Sequence, residues 1–189
     1  MAQSPMIQCL MNWMDCQMEN KKCFYLVEGE CEEKLLKALK GQPALIVPGT
    51  VKKFNAVQNE IPASRLMSFD PGSRVVLVFD TDTDVTEHLK KNIELLNKVC
   101  SKVEVLTVAQ VLNFEDEMVR STDISKAEDL TRSKTVSDMK RAVNRMKETE
   151  FRQTLKRHKF DIQKLWTQKP PKLFSFVKQQ AENIKADNK

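Results

Sequence analysis

Acidic residues in this 189-residue chain are grouped where apolar runs end. Cys23-Phe-Tyr-Leu-Val27 stops at Glu28-Gly29, and Arg74-Val-Val-Leu-Val-Phe79 stops at Asp80-Thr-Asp82-Thr-Asp84. A third group, Glu115-Asp-Glu117, follows the β-prone run over residues 102–108. Alternate residues of an extended chain project to one side roughly 6–7 Å apart, so Asp80 and Asp82 can face one site. Carboxylate oxygens are hard ligands, and a few of them, completed by water and substrate phosphate, ordinarily hold Mg²⁺ or Mn²⁺. Glu28, Asp80 and Asp82, with Asp84 and Glu115 as further candidates, form the expected metal-ligating set. A competing use of the same residues is to cap helices that begin near residues 30, 85 and 114, which acidic side chains do well.

For these carboxylates to meet, the elements must bring the ends of separate strands together. Apolar character on both faces of residues 74–79 implies a strand covered by helices on each side, as in a parallel sheet. The carboxyl ends of such strands share one edge, where ligands bind. The pattern predicts strands over residues 23–27, 44–47, 74–79 and 102–108. Helices are expected over 6–19, 32–39, within 51–66 with a break at Pro62, and over 85–99. This is an α/β chain with a mostly parallel four-stranded sheet flanked by helices. Beyond Arg120 helical spacing dominates, over 136–147, 151–157 and 174–184, with Pro170-Pro171 as a breaker. Three regions are expected: an N-terminal helix over 1–20 packed on the core, the α/β domain over 21–120, and a basic helical extension over 121–189.

Tyr25-Leu-Val-Glu28-Gly29 followed by Val78-Phe-Asp80-Thr-Asp82 resembles the TOPRIM domain of primases, topoisomerases, OLD-type nucleases and small RNA-maturation nucleases. Glu-Gly-Glu-x-Glu-Glu and Val-Phe-Asp-Thr-Asp look closest to RloB-like and PARIS-type proteins of bacterial antiviral defence. The resemblance covers about residues 21–120. It implies a Rossmann-like TOPRIM fold, catalytic positions at Glu28, Asp80 and Asp82, and phosphodiester chemistry with Mg²⁺ or Mn²⁺ on the Asp pair. Glu28 would act as a ligand or an acid/base group. A topoisomerase needs a nucleophilic tyrosine, and the sole tyrosine, Tyr25, falls inside the first predicted strand. Primases of this type are larger and carry zinc modules, and OLD proteins carry an ATPase. A stand-alone nuclease, or the nuclease subunit of an ATPase partner acting in trans, is what the resemblance leaves.

Composition narrows the classes further. None of the four glycines builds a phosphate-binding loop or a dinucleotide fingerprint. The five cysteines (Cys9, Cys16, Cys23, Cys31, Cys100) are odd in number and contain no C-x-x-C, so neither disulfide framework nor zinc knuckle is expected. The absence of a long apolar run and of a secretory pattern suggests a cytoplasmic protein without membrane contact. Residues 1–119 carry 13 Lys and Arg against 17 Asp and Glu, net −4, whereas residues 120–189 carry 18 against 9, net +9. The basic half suits a polyanion, with Arg141, Arg145, Arg152, Lys156, Arg157 and His158 as expected nucleic-acid contacts, or it is a solvated helical surface. The leading expectation is a metal-dependent nuclease acting on RNA or DNA. The alternatives are a non-catalytic TOPRIM-like binding module and a haloacid-dehalogenase-like phosphatase, whose D-x-D-x-T loop the sequence meets except at Asp84.

Overall fold

The computed structural model describes residues 22–99 and 103–186. The expected N-terminal helix, Cys9, Cys16 and Cys100 lie outside these residues. Runs of β-branched, leucine and aromatic side chains form the strands β1 (Cys23–Val27), β3 (Arg74–Asp80) and β4 (Glu104–Gln110), joined by the short β2 (Thr50–Lys53). All pairings are parallel, in the order β2-β1-β3-β4. Between them come α1 (Glu30–Leu39), the single turn α2 (Ala63–Leu66) and α3 (Glu87–Val99), and after them α4 (Phe114–Ser121), α5 (Val136–Arg145) and α6 (Glu148–Arg157). The expected α/β architecture is therefore present.

Period-two alternation sorts the strand residues into two cores. Tyr25, Val27, Val76, Val78, Leu106 and Val108 pack beneath α1, α4, α5 and α6. Leu26, Val75, Leu77, Phe79 and Ala109 pack against Leu66, Leu89 and Leu96 on the other face. Met139, Val143, Phe151 and Leu155, from the region expected to be an extension, are buried in the first core together with the strands. The basic helices form one of the two layers that cover the sheet.

Three segments differ from expectation, the first being the helical stretch expected from residue 51, which starts as β2 and keeps only the single turn Ala63–Leu66. Apolar residues 44–47 do not form the second strand: only Ile46 makes an isolated antiparallel bridge, to Lys185, and β2 begins three residues later. The apolar run is used for burial, with Ile46 fully covered and the Val47 carbonyl accepting from the Tyr25 hydroxyl at 2.7 Å. Residues 174–184 hold 3₁₀ turns at Lys172–Phe174 and Ala181–Asn183 instead of an α-helix. Phe174 and Val177 enter one core, while Ala181 and Ile184 enter the other. The segment crosses the edge of the sheet, which a continuous helix could not do. On the way it covers β4: Gln180 N donates to the Thr107 carbonyl at 3.0 Å, and the Gln179 carboxamide both accepts from Ala109 N at 3.1 Å and donates to its carbonyl at 2.8 Å. Exposed edge groups are thus satisfied within the chain.

Arg152, expected to contact nucleic acid, is turned inward. Its guanidinium donates to the carbonyls of Ala38 at 3.2 Å and Gly41 at 2.6 Å, and to that of Pro43. These carbonyls lie at and beyond the end of α1, where helical partners run out; that of Ala38 also accepts from Gly41 N at 3.3 Å. Arg152→Ala should therefore destabilise the fold by about 1–3 kcal/mol, read from the urea midpoint, because it removes the charge-assisted hydrogen bonds that tie α6 to the end of α1. Gly49 makes a second checkable constraint. A Cβ there would meet the Cys23 carbonyl at 2.5 Å, Cys23 Cβ at 2.9 Å and the Tyr25 ring at 2.9 Å. Gly49→Ala should cost about 1–3 kcal/mol by the same measurement, since β2 must move off β1 to admit it.

Candidate functional site

Register places the acidic residues. Val27 pairs with Val78 across β1 and β3, so the residues that leave those strands emerge side by side at the carboxyl edge. There Asp80 N donates to Glu28 Oε1 at 3.2 Å. Glu28 Oε2 accepts from Asn55 Nδ2 at 3.1 Å. Asn55 is itself fixed by an Asx turn, its Oδ1 accepting from Val57 N at 3.0 Å and Gln58 N at 2.9 Å. A cleft of about 510 Å³ opens beside Glu28, walled by Glu30, Lys53, Asn55, Asn59 and Glu60.

Capping does not explain Asp80 and Asp82. At the start of α3 the Val85 amide goes to Thr83 Oγ1, and the Thr86 amide to the carboxylate of Glu87. At α4 the cap is Asn113, whose Oδ1 accepts from Asp116 N at 3.2 Å, which leaves Glu115 to pair with Lys140 Nζ at 2.6 Å. Thr81, between the two aspartates, has a structural task. Its amide donates to the carbonyls of Gln110 (3.1 Å) and Leu112 (2.9 Å), while its hydroxyl donates to the Gln110 carbonyl (3.1 Å) and accepts from Leu112 N (3.0 Å). That clamp fixes the end of β3 against the end of β4 and sets where Asp80 stands.

The electrostatics are those of crowded acids. Burial pushes Asp80 up to about 9, with Glu32, Glu28, Asp82 and Glu115 adding to it. Burial also pushes Glu28 up to about 7, reinforced by Glu32 and Asp82 and opposed by the Asp80 amide and Asn55. Glu32, which the sequence analysis did not single out, is buried and likewise raised by that burial, while its own amide, Lys140 and the Gly29 amide pull it back. It is the third residue of α1 and folds back toward its N-cap, as in a capping box; a Cβ at Gly29 would stand 2.7 Å from Glu32 Oε2. Burial works against the Lys140 ammonium, yet Glu115, Cys31 and Glu32 hold its pKa above the ordinary value.

The edge thus gathers Glu28, Glu32, Asp80, Asp82 and Glu115, with Lys140 among them. Asp84 is exposed on the loop before α3. The basic candidates are not gathered with this group. Arg141 is exposed and ion-paired with Asp138, Arg145 and Lys156 are exposed, and Arg157 donates to Thr154 Oγ1 at 3.0 Å. His158 Nδ1 lies 3.4 Å from Asp123 Oδ1. Lys140, one residue before the expected contact Arg141 and on the same helix face as Asn144, was missed because one lysine in a basic helix carries no distinguishing pattern.

Among the described residues no three His, Cys, Asp or Glu side chains converge as a metal cage. Mg²⁺ seldom has such a cage; one or two carboxylates with water and phosphate suffice. Here Asp80 Oδ1 and Glu115 Oε2 are buried without a hydrogen-bond partner among the described residues, which fits oxygens available to a hard cation. Asp80 is the residue best placed to hold it, with Asp82 outermost; both Glu28 oxygens already accept hydrogen bonds, from Asp80 N and Asn55 Nδ2.

Raised acid pKa values make stability depend on pH with a defined sign. The folded state holds protons on Glu28 and Asp80 that the unfolded chain releases near pH 4, so their contribution is complete below that value. It is lost progressively as pH rises toward about 7 for Glu28 and about 9 for Asp80. In chelator, the melting temperature should fall from pH 5.5 to pH 9, and Asp80→Asn should flatten the decline.

In comparisons with known proteins no family model matches the chain, and neither does any curated protein or solved structure, so the functional reading rests on this edge.

Proposed function

We propose that the chain is a divalent-metal-dependent phosphodiesterase, a nuclease acting on RNA or DNA, with its site at the carboxyl edge of β1 and β3. The observation that carries this reading is the Asp80 amide on the Glu28 carboxylate, which sets two partly buried carboxyls side by side at the ends of adjacent parallel strands, each biased toward its neutral form. A bound Mg²⁺ or Mn²⁺ would activate water and stabilise charge on the phosphate. Asp80 and Asp82 would hold it. Glu28, near pH 7 in its protonation and oriented by Asn55, is suited to take or give a proton at neutral pH.

The resemblance of the two acidic motifs to TOPRIM nucleases supports the same chemistry. It also supports the further reading as an anti-phage effector, alone or beside an ATPase subunit in trans. Exposed Arg141, Arg145, Lys156 and Arg157 are available to phosphates, without base specificity. Arg152 and His158 are committed to partners within the chain.

The test is cleavage of labelled single- and double-stranded RNA and DNA with Mg²⁺ or Mn²⁺. Glu28→Ala and Asp80→Asn, checked for an intact fold by circular dichroism, should each lower the rate about 100-fold or more. Cleavage by the variants at the wild-type rate would overturn the assignment. Binding without cleavage would favour the non-catalytic module, and turnover of small phosphomonoesters alone would favour the phosphatase.

A further inference from the structure

Gln110, the last residue of β4, is fully buried, and neither its Oε1 nor its Nε2 has a hydrogen-bond partner among the described residues. A buried carboxamide with both ends unpaired is costly, and native structures rarely keep one without an ion, a water or a function behind it. Its position supplies the reason. Gln110 is the register partner of Asp80 across β3 and β4. Paired residues in a parallel ladder project to the same face, so the carboxamide leaves the sheet beside the Asp80 carboxyl. That is the face of Val78 and Val108, covered by α1, α4 and α5. Asp80 Oδ1 and Glu115 Oε2 are unpartnered there as well, so three polar side chains of one sheet edge each keep a buried oxygen unused.

We infer that Gln110 belongs to the cation site: its Oε1 joins Asp80 Oδ1 and Glu115 Oε2 among the protein oxygens that hold the divalent ion between β3 and β4. This rests on the metal-dependent reading above and extends it to a neutral ligand from a strand that carries neither acidic motif. A neutral oxygen suits the place, since a further carboxylate would join Glu28, Glu32, Asp80, Asp82 and Glu115, with Lys140 the one cation of the described residues set among them. The Thr81 clamp holds both strand ends through the Gln110 carbonyl, so the side chains of Asp80 and Gln110 are delivered together.

Calorimetric titration and thermal melting with MgCl₂ or MnCl₂ alone, without nucleic acid, decide it. Gln110→Leu should melt no lower, and by expectation higher, than wild type in chelator, because it removes an unpaired buried amide. It should also bind the ion about tenfold or more weakly and lose most of the ion-induced rise in melting temperature. Gln110→Met, closer in shape, should behave alike, which keeps the test open if the leucine variant folds poorly. If wild type binds the ion and both variants bind it equally well, the inference about Gln110 fails while the metal site at Asp80 stands. If wild type itself binds neither ion, both fail.

Discussion

Like charges held close together in partial burial are the constraint around which the sheet edge is arranged. Glu28, Glu32, Asp80 and Glu115 could each be solvated on a surface; here burial raises the first three, and each adds to the raising of Asp80. Such a group is unfavourable as a set of anions. The fold holds it by stiff local devices: the Asx turn at Asn55 behind Glu28, the Thr81 clamp behind Asp80, the Asn113 cap that spares Glu115 from capping, and Gly29, whose missing side chain admits the Glu32 carboxylate. None of these devices makes the cluster stable in itself. They make its geometry independent of its charge state.

Behind the edge a second buried acid shows the contrast. Glu117 is fully covered, yet its carboxylate accepts from Val111 N (3.2 Å), Arg120 Nη2 (2.7 Å) and Trp166 N (3.0 Å). It joins the loop after β4 to the start of the C-terminal segment and is satisfied within the fold. Two residues earlier, Glu115 has one oxygen on Lys140 and the other unused. A carboxylate fully hydrogen-bonded to its own chain serves structure, and one left with spare capacity at a sheet edge is available to a ligand.

The central strands were legible because their burial on both faces leaves an unbroken apolar signature, and Glu28 and Asp80 were legible as the first acids after it. The errors share one cause: apolar patterning reports burial and not the element that achieves it. Residues 44–47 are apolar because they cover Tyr25, whereas the real β2 is an edge strand with only Val51 buried and no apolar run to announce it. Residues 174–184 keep helical spacing while passing from one core to the other. Glu32, Gln110 and Lys140 were invisible for a different reason. Each is ordinary in its local sequence, and its role depends on which strand or helix lies beside it. Arg152 matched the basic stripe by spacing, but the carbonyls at and beyond the end of α1 take its guanidinium instead.

The charge asymmetry along the chain becomes layering in space. α5, from the basic half, lies on α1: Lys140 pairs with Glu115, Asn144 Nδ2 donates to Glu30 at 3.2 Å, and Lys34 reaches the Met146 carbonyl. With Met139 and Val143 buried beneath, this helix cannot lift away without opening the core, so Lys140 is a permanent countercharge on one side of the acidic group. It serves Glu115 and Glu32; on the Glu28 side, toward Asn55 and the cleft, the lysine that lines the wall, Lys53, is taken up by Glu30 at 2.8 Å. A polyanion approaching that side meets Glu28 and Glu30 with one lysine, already paired, against them. On the proposed reading the order of binding then follows from Coulomb's law: the divalent ion must be in place first, and the phosphate is drawn to the charge that the ion brings.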